Sequence, residues 1–405
     1  MLAAGSFLLL NVTAGPVRWI LSQAGLSPLI YAPNLLMLAC VAWHTAAEPH
    51  TRGFSALTLI AWLAPVHAMV IGLLFLSPVQ LAMGVYVLLP FWFGLSCGPV
   101  LLRRWRNISP FIGWFWLIAA GGVLANVVVT FPWEGFGYSV GNLEVDGSRQ
   151  WYAGGGNKRL AGFSRASFDA AVQIQLLALL MVLACRSFTL RVLIWGLSLA
   201  AIYPTNSKGI MLVALIMTPI VLLQHRLPQS PLRVLPALFG VLALALPLST
   251  LLFTFDSQFN DPKLASATFS FFDRLNRMWP EAWELLHGDG NLLLGRGIGG
   301  IGTGQTYFES SRFNAGDNLF MYWMVVYGLS AIPGFALILA RTLRLRPLES
   351  PEQFRVYALV MATLIYGSMT NIVENAVFAL VCGMVVRYLC SRPPRRPRME
   401  PAHVC

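Results

Sequence analysis

Residues 316–331 read GDNLFMYWMVVYGLSA. Asp317 and Asn318 open a run, 319–326, that carries no charge and is fit to cross a membrane. An ionised carboxylate at a bilayer centre costs roughly 2.5–3.5 kcal/mol. Asp317 therefore stands in water at a helix mouth or faces a polar cavity. A plainer reading is open too: Asp and Asn are favoured at helix N-caps. The rest of the chain bears on the choice.

Outward from this stretch, 57% of the 405 residues are hydrophobic and only 11% are charged, where a soluble domain carries about 25% charged residues. Mean hydropathy is +0.65, and apolar runs of about 20 residues, the length a membrane helix needs, recur from end to end. The alternating segments of about 10 residues that mark a membrane β-barrel are missing. The fold class is an all-α polytopic membrane protein, because hydrocarbon gives the backbone no hydrogen-bond partners outside a helix. About 12 transmembrane helices are expected, near 1–21, 27–47, 54–76, 79–102, 109–131, 166–185, 188–204, 208–224, 232–254, 317–340, 354–370 and 373–390. The first run lacks the basic start and small-residue cleavage site of a secretory signal, so it reads as a retained span. The six cysteines and six histidines show no metal-ligand spacing, and neither a metal nor a disulfide framework is inferred.

Arg and Lys orient this layout. RRWR (103–106), Arg186, Arg191, HRLPQSPLR (225–233), RTLRLR (341–346) and SRPPRRPR (391–398) fall on one side. With Arg52, Arg355 and Arg387 that side holds 17 of the 28 basic residues, and the positive-inside rule makes it cytoplasmic. The organisation is then N-terminal transmembrane helices over 1–131, a first periplasmic loop over 132–165 and central transmembrane helices over 166–254. A large periplasmic loop over 255–316, C-terminal transmembrane helices over 317–390 and a basic cytoplasmic tail over 391–405 complete it. The tail suits anionic headgroups as well as a topology anchor.

The external segments hold the unusual chemistry. The first loop is rich in Gly and aromatics and ends in Arg149, Lys158, Arg159 and Arg165. That composition suits stacking on sugar rings, and it equally suits an interfacial loop. In the large loop, FFDRLNRMWPEAWELL (271–286) has the apolar spacing of an amphipathic helix lying on the membrane surface, with Arg274 and Arg277 on neighbouring turns. GRGIGGIGTG (295–304) contains GxGxxG, but no strand precedes it, so a dinucleotide site fails its own test. A flexible turn whose backbone N–H groups hold a phosphate is the better expectation, with Arg296 inside it. The short turn PTNSKG (204–209) puts Lys208 at the start of a span, where the helix end adds positive charge. Each external cation is either a solvated surface charge or one donor of a diphosphate site, since Arg matches phosphate geometry with paired donors. TNIVEN (370–375) reads first as a plain turn and second as a contact for an acceptor sugar, through Glu374.

Four of these stretches, in order, carry a resemblance. NKRLAGFSRASFDAA (157–171), TNSKGIMLVAL (205–215), RLNRMWPEAWELL followed by LLLGRGIGG (274–300), and GDNLFMYWMVVYGLSA resemble the O-antigen ligase and O-antigen polymerase superfamily of bacterial membrane glycosyltransferases. The likeness covers most of residues 155–390. Lys208 stands where the family has an arginine, and Asn318 and Gly328 keep the family's spacing of nine residues between them. Asp317 stands where the ligases carry histidine, their proposed base, which favours a polymerase over a ligase.

The resemblance implies a donor glycan on a polyprenyl (undecaprenyl) diphosphate, attacked by a sugar hydroxyl of a glycan acceptor, with no cofactor and no metal. It implies Asp317, Arg274 and Arg277 as catalytic residues, and Arg159, Lys208, Arg296, Asn318 and Lys158 as diphosphate- or glycan-binding residues. The expected setting is the bacterial inner membrane, with both termini cytoplasmic and the site facing the periplasm. Membrane lipids and a chain-length regulator or flippase are the expected partners, and nucleic acid is not. Ligation of a finished glycan to lipid A core or protein is the alternative within this chemistry. A polysaccharide transporter or flippase is the alternative outside it, disfavoured because no internal repeat is visible.

Overall fold

The computed structural model describes residues 2–51, 56–140, 143–152, 156–223, 226–255 and 262–391. The basic tail from 392 on lies outside the described residues. Helices α1 (Leu2–Val12), α2 (Ala14–Gln23), α3 (Ala32–Thr51), α4 (Ala56–Phe75), α5 (Pro78–Arg103) and α6 (Trp105–Asn126) come first. Two small antiparallel pairs follow, β1 (Gly137–Val140) with β2 (Leu143–Asp146), and β3 (Trp151–Tyr152) with β4 (Lys158–Arg159). Then come α7 (Ser167–Ala184), α8 (Phe188–Ile202), α9 (Lys208–Leu222) and α10 (Gln229–Ser249). The large loop forms α11 (Pro262–Asp273), a π-helical turn (Arg274–Met278), α12 (Trp279–Gly288) and α13 (Thr303–Phe308). Helices α14 (Leu319–Tyr327), α15 (Ala331–Leu343), α16 (Pro351–Gly367) and α17 (Ala376–Cys390) complete the chain.

The protein is a helical, polytopic membrane protein. Among the described residues, seven helical segments are long and apolar enough to cross a membrane, and eight if the α1–α2 pair counts as one. This differs from the expected twelve for two physical reasons. The first expected span breaks between α1 and α2 with an 88° bend. The helices at 208–222 and 376–390, the described apolar part of α4 at 63–75 and the 17-residue α16 are shorter than a bilayer is thick, and those at 208–222, 351–367 and 376–390 lie against other helices.

Helices α7, α16 and α17 form the interior. Every residue of α7 from Ala170 to Leu180 is buried, Gln173 and Gln175 included, as expected of a helix surrounded by others. Helices α5 and α17 pack backbone to backbone. A Cβ at Gly94 would lie 2.1 Å from the Leu380 carbonyl oxygen, and one at Gly383 would lie 2.0 Å from that of Phe91. With Gly98 this is the small-residue contact typical of membrane helix pairs. Polar residues also enter the interior. Gln173 accepts from the Ser164 hydroxyl at 2.7 Å and donates to the Asn11 carbonyl at 3.1 Å, tying α7 to α1.

Two expectations for the large loop change. The amphipathic segment is helical, and its apolar face packs on protein. Leu275, Trp279, Trp283 and Leu286 are buried, and the Trp283 indole N–H donates to the Pro247 carbonyl of α10 at 3.1 Å. The apolar face finds protein before it finds lipid. The glycine-rich stretch is likewise a packed strap. The N–H groups of Arg296, Gly297 and Ile298 donate to the carbonyls of Val325, Val326 and Ala68. Gly297 has φ +83°, and a Cβ there would lie 2.2 Å from the Gly72 nitrogen, so glycine serves close approach rather than an open anion cradle.

Candidate functional site

Asn318 answers part of the question posed by residues 316–331. Its side chain accepts from the Met321 N–H at 3.0 Å, capping α14. Its amide also donates to the Ala243 and Ser368 carbonyls, both at 3.0 Å. The cap is therefore Asn318 alone, and Asp317 has other partners. Its carboxylate takes a hydrogen bond from Arg274 Nη2 at 2.7 Å, and its carbonyl accepts from the Trp279 indole at 3.4 Å. Burial pushes the Asp317 carboxyl above the usual carboxylate range, against the opposing pull of Arg274 and of the Asn371 backbone.

Arg274 sits on the π-helical turn, a widened turn common at functional sites. Its Nη1 donates to Ser270, and its Nε is buried with no hydrogen-bond partner. Arg159 approaches from the first loop. Its Nε donates to the Thr205 carbonyl at 3.2 Å and its Nη2 to the Ser207 hydroxyl at 3.3 Å. The Trp151 ring lies under its guanidinium, 5.4 Å from the centroid. Arg159 is thus fastened to the turn that ends at Lys208. That turn is made by Asn206 in the left-handed region (φ +51°), which asparagine tolerates, and Lys208 is exposed at the first position of α9.

Tyr366 joins the two halves. The charges of Asp317, Asp169, Arg274 and Arg159 all act on its buried hydroxyl, which has no hydrogen-bond partner. A Cβ at Gly209, on the first turn of α9, would touch its ring at 4.0 Å. Arg159, Arg274, Asp317 and the amino end of α9 therefore come together from four separate stretches of chain.

The other expected residues are engaged elsewhere. Arg277 is half exposed and pairs with Asp273 at 2.9 Å and Glu281 at 3.5 Å along its own helix. Lys158 pairs with Glu134, whose carboxylate also accepts from Asn126 at 2.7 Å and the Phe131 N–H at 3.0 Å. Arg296 is 3% exposed, holds Glu309 through two bonds of 2.8 Å, and donates to the Asp289 and Gly300 carbonyls. It clamps the strap, with its guanidinium engaged by these partners. Among the aromatics of the first loop, Phe131 stacks on Trp133 at 4.6 Å, Trp151 lies against Arg159 and Tyr152 is exposed.

Asp169 and Arg18 were not singled out in the sequence, and Glu374 was read there only second as a sugar contact. Glu374, read there first as part of a plain turn, accepts from the Thr303 N–H at 2.9 Å and the Thr303 hydroxyl at 2.8 Å. Burial pushes its carboxyl up to about 7, against those bonds and one from Tyr322, and the nearby charge of Asp317 adds to the rise. Asp169, at the start of α7, accepts from Asn375 at 2.8 Å, and Arg18 lies in α2. The signal was available for both, because a charged residue inside an apolar run is a functional candidate by default. Asp169, Asn375, Glu374 and Arg18 line a polar cavity of about 280 Å³. The chain matches no family model, no curated protein and no solved structure.

Proposed function

We propose that the chain is a membrane glycosyltransferase that polymerises polyprenyl-diphosphate-linked repeat units at the periplasmic face, in a twelve-span layout with both termini cytoplasmic. The observation that carries this reading is the meeting of Arg159, Arg274 and the amino end of α9 around Tyr366, beside a polar cavity lined by Glu374. Two arginines with donors directed by fixed partners suit a diphosphate. The helix end adds partial positive charge at the same place.

In this reading the acceptor hydroxyl oxygen forms a bond to the donor's anomeric carbon. The bond from that carbon to the diphosphate breaks, and its electron pair leaves with the diphosphate, whose charge Arg159, Arg274 and Lys208 meet. The hydroxyl proton passes to a carboxylate. Asp317 was the candidate read from the sequence, but its ion pair with Arg274 makes it the residue that aims the arginine. Glu374, held near neutrality by burial, has the pKa that suits a general base at neutral pH. A base works deprotonated, so transfer rises with pH through about 7 and levels off above it.

The test is chain extension by purified protein from lipid-linked repeat units, measured from pH 5.5 to 8.5. Glu374→Gln lowers the rate about 10²–10⁴-fold and abolishes the inflection. Asp317→Asn lowers it about 10²–10³-fold, as expected for loss of a placed charge donor, and keeps an inflection, moved to lower pH by loss of the Asp317 charge. The opposite assignment of the inflection would return the base role to Asp317. Transfer only onto a finished core acceptor, without extension, would make the chain a ligase.

A further inference from the structure

The 280 Å³ cavity contains a feature that the transfer chemistry does not use. Arg18 and Arg165 both line it. Neither forms an ion pair among the described residues, and the Arg18 Nε is buried without a hydrogen-bond partner. Arg18 is half-buried, and the Arg165 Nε donates, among the described residues, only to the Asp146 carbonyl at 3.1 Å; a buried guanidinium N–H left unsatisfied is costly unless something completes it. Tyr31 and Tyr86 stand beside the arginines, edge to face at 5.8 Å, and offer the flat apolar surface that a sugar ring covers.

The rest of the lining separates candidate anions. Asp169 and Glu374 share the cavity with the arginines. Two carboxylates oppose a phosphate dianion but accept hydrogen bonds from hydroxyls. The volume lies just below the range of pockets for drug-sized ligands, which begins at about 300 Å³, and so suits one ring rather than a lipid or a chain. The wall of Asp169, Asn375 and Glu374 also adjoins the arginine cluster around Tyr366. A sugar in the cavity would hold a hydroxyl between Glu374 and the donor.

We propose that this cavity is the acceptor-sugar subsite and is selective for an acidic pyranose of the uronate class, with Arg18 and Arg165 binding its carboxylate and Glu374 facing its hydroxyls. This proposal rests on the glycosyltransferase reading and names its acceptor.

Equilibrium binding to the full chain in nanodiscs, followed by saturation-transfer NMR, tests it with methyl glucuronoside and methyl glucoside. The glucuronoside is expected to bind at least tenfold more tightly. Arg18→Gln and Arg165→Gln are each expected to remove most of that preference, and Arg346→Gln, at an exposed ion pair, is expected to leave it intact. Inorganic phosphate and phosphatidylglycerol nanodiscs are competitors. If either displaces the glucuronoside, the cavity is a phosphate or headgroup site and the proposal fails. Equal binding of the two sugars by the wild-type chain also overturns it, whatever the variants do. If Arg18→Gln does not fold, Arg165→Gln on the loop still decides. Chain extension is assayed on the same preparation to separate the two readings. Extension without uronate selectivity sinks the cavity proposal alone. Uronate binding without extension from any lipid-linked donor sinks the transferase reading and, with it, the acceptor role.

Discussion

Asn318 and Asp317 are adjacent and share composition, yet the fold gives them opposite work. Asn318 is fully buried and makes three hydrogen bonds, one to cap α14 and two that join it to α10 and to the segment after α16. Asn318→Ala removes a cap worth about 1 kcal/mol and strands two buried carbonyls, each costing about 1–3 kcal/mol. The expected loss is about 3–7 kcal/mol, read as a lower thermal midpoint in detergent whether or not donor is present. Asp317→Asn leaves that cap in place and acts on Arg274 instead, so its effect falls on transfer. The sequence made both residues visible as anomalies. It could not divide the roles, because capping and ion pairing use the same short polar side chains and differ only in what lies opposite.

The strap at 295–304 and the helix at 271–286 were each legible as elements but not in their surroundings. Glycine density signalled a tight backbone path, and the apolar spacing of Leu275, Trp279, Trp283 and Leu286 signalled an amphipathic helix. What covers each came from distant chain: Ala68 and Val326 over the strap, Pro247 over the helix. This gives Arg296 a structural meaning that can be tested. Breaking a buried ion pair by removing one partner costs about 3–5 kcal/mol, because Glu309 would be left uncompensated. Arg296→Ala is therefore expected to destabilise the chain strongly and to lower the amount of folded protein. In the fraction that folds, donor affinity stays within about twofold, since a merely structural clamp touches no ligand. A large loss of donor affinity at unchanged thermal stability would restore the diphosphate role to Arg296.

Across the whole molecule, the twelve-span layout and the described helices agree on a helical membrane protein and part on the count. Short and broken helices are the reason. A helix covered by neighbours does not have to match the bilayer thickness, so a length rule built on lipid exposure undercounts it. The layout remains testable by topology. Single cysteines at Trp151 and Arg312 are expected to react with an impermeant maleimide added to intact spheroplasts, and one at Arg346 only after permeabilisation. Labelling of Arg346 from outside would invert the orientation, and labelling of Trp151 and Arg312 on opposite sides would break the two-loop arrangement.

The sequence by itself determined that this chain lives in a membrane as helices. That follows from bulk hydropathy and from the bilayer's refusal of unpaired backbone groups, both of which are local properties. It also marked Asp317, Arg274, Arg159 and Lys208 as out of place. Only the tertiary structure decided which of these meet. Arg159 and Arg274 are 115 positions apart in the chain and share a site because the β4 strand and the π-helical turn bring them to Tyr366. Only it raised Glu374 above a plain turn, because a carboxyl's pKa depends on what surrounds it, and those surroundings are supplied by residues far from it in the chain.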